Sequence, residues 1–347
     1  MPVPNIDDLT EWVITSSDDE FHDNFEGATH PWWTETFWTA FCVPERKLGG
    51  WFYNQVLMNQ GDHGICNGGA WVWDDSVAPA LYELNHTGLA LAPGPHDLRD
   101  IELPNGNRIK MIEPLAKYHQ RYSDPCKFEA DLMFEGIMAP NPHPAGCAPF
   151  WKGRHFDQAM HVTGEIALHG EAIEIDCYSV RDRSWSPRRP RTSAAAQVVT
   201  GGLAPQATIK LDGEHSDVSK PLKKPFNLGY IFGVEGPNNA FLAYTMLIRG
   251  EEDRGDFTNT GFLVRDGVWA HLVRGHRECL VDPERGYIWR IEYEGVDSLG
   301  RGVHAIGEQV SNHGTGTGLF HWRWNGCEGW GENQGGIAPT YPRVKRG

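Results

Sequence analysis

The sequence predicts an all-β protein, and three observations carry that prediction. Apolar residues alternate with polar ones at period two in several runs, which sends one set to a buried face and the other to water. Residues tolerant of φ > 0 sit between such runs, as hairpin turns require. Turn formers are abundant, with 40 Gly and 23 Pro among 347 residues. Many short strands separated by turns read as a sandwich or barrel.

Taken in order, the elements begin with one candidate helix, a short amphipathic stretch at residues 6–13. Strands are expected at 35–43, 50–58 and 69–74. Pro104-Asn105-Gly106-Asn107 is a hairpin signal ahead of "RIKMIE", and a further strand follows at 127–134. The long strand at 157–167 turns at His169-Gly170 into "AIEIDCY", where Ile173, Ile175 and Cys177 alternate with Glu174 and Asp176. Residues 186–225 break this pattern with Pro, Gly, Ser and charge, and read as a connection between two β units. Strands resume at 227–234 and 239–248, and Arg265-Asp266-Gly267 joins "GFLV" to "VWAHLV". In "YIWRIEYE" Tyr287, Trp289, Ile291 and Tyr293 face one way and Arg290, Glu292 and Glu294 the other. Strands at 301–309 and 319–325 close the series, and "GCEGWG" reads as a turn. The division is therefore into domains 1–190 and 191–347.

Composition excludes several classes of function. A formal net charge of −15 repels phosphate backbones, so no nucleic-acid partner is expected. No apolar run approaches the roughly 18 residues that a spanning helix needs, and no membrane insertion is expected. The N-terminal stretch lacks a basic and an apolar region of the secretory kind. Seven scattered cysteines without a CxxC pair fit reduced thiols, so a cytoplasmic location follows. The 14 Trp, 15 Phe and 10 Tyr are the outlier: they suit an aromatic-walled cavity or barrels sealed by large side chains.

Five segments carry a family resemblance. "HPWWTETFWTAF" with "GGWFYNQVLMNQG", then "HFDQAMHVTGEIALHGEAIEIDCYSVRDRSW", then "VDPERGYIWRIEYEGVDSLGRGVHAIGEQ" and "HWRWNGCEGWGENQ", resemble proteins related to hydroxyneurosporene synthase, the carotenoid 1,2-hydratase family. The likeness spans nearly the whole chain and is nearest to that family's uncharacterised bacterial members. It implies two tandem lipocalin-like antiparallel β-barrels holding a hydrophobic ligand, and cofactor-free chemistry by protonation, water addition or enforced folding. Where the carotenoid hydratases carry histidines on both sides of an aspartate, this chain has Arg181 and Arg183 around Asp182. A proton-donating histidine there has no counterpart here.

Among candidate site residues, Asp182 comes first. Two adjacent guanidiniums favour the ionised carboxylate and lower its pKa, which suits an anchor or orienting group better than a general acid. Strand alternation sends Arg181, Arg183 and Trp185 to one face and Asp182 to the other, with Tyr178 just upstream. The competing reading is a structural ion pair at the domain junction. Glu35, between Trp33 and Trp38, is the candidate proton donor, because aromatic neighbours desolvate a carboxyl and raise its pKa; an exposed acid beside core tryptophans is the plainer alternative. His161, near Gln158, is a candidate base or an ordinary half-buried histidine. Trp322 and Trp324, with Glu332, suggest a pocket wall with a carboxylate at its rim, or simply barrel closure.

Neither His63 with Cys66 nor His143 with Cys147 is joined by a second matching pair, so no metal and no cofactor are expected. The glycines of "GTGTG" have the wrong spacing for nicotinamide binding, and no GxSxG elbow is present. These readings converge on a cofactor-independent lyase or isomerase, of hydratase or dehydratase type, acting on a hydrophobic small molecule such as a terpenoid, steroid or polycyclic aromatic. A non-catalytic lipocalin-like carrier is the rival, and a basic patch docking an anionic partner is a third reading. A homodimer is compatible with any of them.

Overall fold

A computed structural model describes residues 13–23, 25, 27–76, 80–143, 154–188, 226–248, 255–313 and 317–346. The expected helix at 6–13 lies almost wholly outside these residues, as do the boundary between residues 190 and 191 and most of the expected connection at 186–225.

Among the described residues, nineteen strands form two antiparallel sheets. The first holds β1 (Trp33–Val43), β2 (Leu48–Leu57), β3 (Ile65–Trp73), β4 (Ala80–Ala90), β5 (Asp100–Glu102), β6 (Asn107–Glu113), β7 (Lys117–Asp124), β8 (Phe128–Gly136), β9 (Asn141–Pro142), β10 (Arg154–Leu168) and β11 (Glu171–Pro187). The second holds β12 (Phe226–Gly236), β13 (Asn239–Ile248), β14 (Asp256–Arg265), β15 (Val268–Val281), β16 (Ile288–Asp297), β17 (Gly302–Asn312), β18 (Gly318–Trp324) and β19 (Cys327–Gly335). The second sheet is a closed eight-stranded barrel, with β19 pairing back onto β12. The first runs β4-β3-β2-β1-β11-β10-β8-β7-β6-β5 and rolls up without its edges pairing among the described residues. Side chains close it instead: the Tyr82 and Tyr122 hydroxyls of β4 and β7 meet at 2.7 Å above the rings of Phe41, Phe52 and Phe128. The all-β expectation of tandem lipocalin-like barrels therefore holds.

Turn chemistry explains the registers. His169 and Gly170 both have positive φ (52° and 87°), as do Asp266 and Gly267 (53° and 74°), the pattern of two-residue hairpins whose twist matches the flanking strands. One expectation fails here. The turn near "GCEGWG" lies one residue earlier, at Asn325 and Gly326 (φ 49° and 84°), and Cys327 to Gly335 is the closing strand β19. A glycine-rich run looks like a loop, but Gly329 and Gly331 are needed because β12 backbone lies against them; an added Cβ would fall 2.4 and 1.9 Å from the Val234 and Phe232 carbonyl oxygens.

The buried tryptophans among the described residues divide among three places. Trp322 and Trp324 fill the second barrel with Phe241, Ile291 and Tyr293, so they seal a lumen rather than wall a pocket. Trp33 and Trp185 cap one end of the first barrel. Trp38, Trp51, Trp71 and Trp73 lie between the sheets, against Leu228, Tyr230, Phe232, Leu242, Tyr244 and Phe262 on the outside of the second barrel. Each of those inter-sheet indoles hides on the order of 150–250 Å², enough to bind two barrels through their outer walls.

Candidate active site between the barrels

Strand alternation in β11 creates two separate polar clusters. Arg181 and Arg183 point into the first barrel, whereas Asp182 points out of it, toward the second. The arginines are engaged inside. Arg181 donates to Asp19 Oδ1 at 3.0 Å, to the Gln158 side-chain oxygen at 2.9 Å and to the Tyr118 hydroxyl at 2.6 Å. Arg183 donates to Glu35 Oε2 at 2.6 Å and lies 4.3 Å over the Phe37 ring. Glu35 also accepts the Trp33 indole N–H at 2.9 Å and the His22 backbone N–H at 3.0 Å. The His22 ring stacks on Trp185 at 3.7 Å. Together these contacts fix the segment before β1 across the barrel end.

This geometry reverses both charge expectations. Burial alone would raise the Glu35 pKa, but the Arg183 guanidinium and the His22 contacts outweigh it and bring it down to about 2. Glu35 is an ionised partner in a buried lock. Asp19 is likewise lowered: Arg181 and the Tyr118 hydroxyl overcome its burial. Asp182, facing away from its neighbouring arginines, is raised to about 7. Burial dominates that rise, the Asp157 carboxyl adds to it, and His155, Arg188 and Arg183 only partly offset it.

Asp182 stands in the second cluster, between the barrels. The hairpin register pairs Asp157 of β10 with Asp182 and Gln158 with Arg181, so His155, Asp157 and Asp182 share the outward face. The His155 ring nitrogen Nε2 lies 3.1 Å from Asp157 Oδ1 and 2.7 Å from the Tyr244 hydroxyl. The hydroxyls of Tyr230 and Tyr244, from β12 and β13, each donate to Asp157 Oδ1 at 3.3 Å. Burial raises Asp157 well above the ordinary carboxylate range and lowers His155 to about 3, so the imidazole is neutral near pH 7. His155, Asp157, Tyr230 and Tyr244 are buried, whereas Asp182, Tyr53 and Arg188 are half-buried and form the accessible edge. Asp157 Oδ2 and the Trp38 indole nitrogen are buried without a hydrogen-bond partner among the described residues.

A half-buried carboxyl that titrates near pH 7, backed by a neutral imidazole and phenols, can both give and take a proton. A divalent ion is the other occupant this donor set suggests, since one atom from each of His155, Asp157 and Asp182 lies within 4.8 Å of the others. The tyrosines argue against it: His155 Nε2 and Asp157 Oδ1 already serve the phenol hydroxyls. The network is built for hydrogen bonds.

The remaining predicted residues lie elsewhere. His161 shares the outward face but sits four residues along β10, about 13 Å away at strand rise. It is half-buried, paired with the exposed Asp176 at 2.7 Å and stacked on Tyr178. Replacing His161 with Gln is therefore expected to change stability by less than about 1 kcal/mol and to leave any activity intact, as urea melts and turnover assays can check. Gln158, Trp33 and Trp185 belong to the inner lock, and Tyr178 packs under Gly236. Glu332 is buried between the barrels beside Gln334 (2.8 Å), and burial raises it to about 8. His155, Asp157, Tyr53, Arg188, Tyr230 and Tyr244 were not singled out from sequence. The His169-Gly170 turn was the available signal: carried back along the hairpin, it sets Asp157 opposite Asp182.

Two rolled antiparallel sheets, joined outer wall to outer wall around an acid cluster, define a tandem lipocalin-like protein. The chain belongs to the family of the domain of unknown function DUF7064, whose model matches residues 15–233. No curated protein matches it in sequence. A protein assigned as AttH from Nitrosomonas europaea is similar over 97% of this chain and 99% of its own, with 12% identity and a TM-score of 0.59. Kievitone hydratase from Nectria haematococca is similar over 97% of this chain and 94% of its own, at 10% identity and a TM-score of 0.50. CghA in complex with Sch210972 is similar over 88% of each chain, at 11% identity and a TM-score of 0.52. At such identities the likeness is one of fold. It adds nothing to the resemblance to carotenoid hydratase in particular. No helix among the described residues is long and apolar enough to cross a membrane.

Proposed function

We propose that the protein is a lyase or isomerase of the hydratase or dehydratase type, acting on a hydrophobic small molecule between the two barrels, with Asp182 as the proton-transferring group. The observation that carries this reading is the placement of Asp182 at the half-buried edge of the His155–Asp157–Tyr244 network, where burial pushes its carboxyl up to about 7. In the dehydrating direction, protonated Asp182 gives its proton to a substrate hydroxyl, the C–O bond breaks and water leaves. The resulting carboxylate then takes a proton from the adjacent carbon as the double bond forms, which restores the acid. Hydration is the same sequence reversed. Half-buried Tyr53, Ile137 and Met138 face the apolar part of the substrate, while Tyr244, held as a neutral phenol by burial, hydrogen-bonds His155 and Asp157 behind Asp182. That kievitone hydratase is a hydratase on this fold supports the reaction class by analogy only.

Ligands that co-purify with the protein, identified by native mass spectrometry and returned to it in D2O with a chelator present, test the reading. The expected result is deuterium at one ligand carbon with the wild type and none with Asp182→Asn. Ligand recovered unchanged would instead mark a carrier, and turnover abolished by the chelator would mark a metal enzyme.

A further inference from the structure

Asp157 stands directly opposite Asp182 in the β10–β11 pairing, and both side chains leave the outward face of the first sheet. One carboxyl oxygen of each lies within 4.8 Å of the other's. The two oxygens of Asp157 have different surroundings. Oδ1 accepts the Tyr230 and Tyr244 hydroxyls, each at 3.3 Å, and lies 3.1 Å from His155 Nε2, a third donor in the Nε2–H tautomer. Oδ2 is buried and has no partner among the described residues.

Charge around the two carboxyls is sparse. Toward Asp157, β9 contributes Asn141 and His143, β10 contributes His155, and β12 and β13 contribute phenols, with Glu332 of β19 beyond Tyr230. Toward Asp182, β1 contributes Trp38 and β2 contributes Tyr53. Arg188 and, from the opposite face of β11, Arg183 are the cations that act on it among the described residues. Two carboxyls this close, in a buried site with so little positive charge, do not both ionise at one pH; their protons leave in two steps that belong to the pair. The donors on Oδ1 favour the first negative charge at Asp157, and that charge then holds the proton on Asp182.

We propose that Asp157 and Asp182 act as one proton-sharing pair, with Asp157 the positioning partner that carries the anion and Asp182 the half that meets the substrate. The second barrel is thereby part of the acid, because both phenols that hold the anion come from β12 and β13. The role of the pair in turnover rests on the reading of Asp182 given above, but its proton sharing is measurable without any substrate.

Carbon-13 NMR of the full chain labelled at the aspartate γ-carbons reads each carboxyl directly, and the Asp182 signal is the one lost in Asp182→Asn. The expected wild-type midpoint of that signal is about 7. In Asp157→Asn, whose side-chain oxygen still accepts the phenol hydroxyls, it should fall by about one pH unit or more. An unmoved midpoint overturns the pair. Should Asp157→Asn not fold, Tyr230→Phe takes its place: with one donor fewer the anion forms less readily on Asp157, so the Asp182 midpoint falls in the same direction, and an unmoved one again overturns the pair. A wild-type midpoint near 4 removes both the pair and the proton transfer. Loss of deuterium labelling in Asp182→Asn beside an unmoved midpoint in Asp157→Asn removes the pair alone, and a moved midpoint without that loss removes the proton transfer alone.

Discussion

Asp182→Asn is expected to slow turnover by about 10²- to 10⁴-fold, the usual contribution of a positioned acid or base, and at the same time to stabilise the protein above neutral pH. The sign follows from the direction of the shift. A carboxyl near 3.9 in the unfolded chain and about 7 in the folded one binds its proton more tightly when folded. The wild type therefore loses stability as pH rises from about 4 to about 7, at up to about 1.4 kcal/mol per pH unit. Asparagine removes that dependence. Urea melts at pH 8 should show the variant more stable by a few kcal/mol, and the two proteins should converge near pH 4. Equal melts at both pH values would mean that Asp182 titrates normally, and the proposed proton transfer would lose its basis. A residue whose removal strengthens the fold while destroying activity is what a site strained for chemistry predicts.

Glu35→Gln is expected to do the opposite. It leaves the buried Arg183 guanidinium without its anion, and breaking such a pair by removing one partner typically costs about 3–5 kcal/mol. Glu35, with its pKa lowered to about 2, contributes stability that is present above the unfolded value near 4.3 and is lost as pH falls through about 2. The difference between wild type and variant should thus be widest at neutral pH and narrow in acid. The pH dependence of turnover near 7 should be unmoved, because Glu35 faces the inside of the first barrel and Asp182 the outside. A pH–rate profile whose midpoint shifts in Glu35→Gln would reassign the proton donor to Glu35. The two variants together separate lock from site.

Most of the strands were legible because their signals are local. Period-two runs marked β1, β2, β10, β11, β12, β13 and β16, and the His169-Gly170 and Asp266-Gly267 turns fixed two hairpins. β4, with the polar stretch Glu83 to Thr87, and β7, "KYHQRYSD", were not read as strands, because a strand with one solvated face and few β-branched residues resembles a loop. β19 was missed because its glycines answer to a neighbouring backbone that sequence does not show.

The site divides along the same line. Alternation by itself determined that Arg181 and Arg183 leave β11 on one face and Asp182 on the other, since successive side chains must point to opposite sides of a strand. What waits on each side was decided only by tertiary structure. Asp19, His22 and Glu35 come from before and within β1 to meet the arginines, and Tyr230 and Tyr244 come from the other barrel to meet Asp157. A pKa depends on desolvation and on charges a few ångströms away through space, not on charges adjacent in sequence. That is why burial raises the carboxyl flanked by arginines, while the one flanked by tryptophans is held as an anion by Arg183.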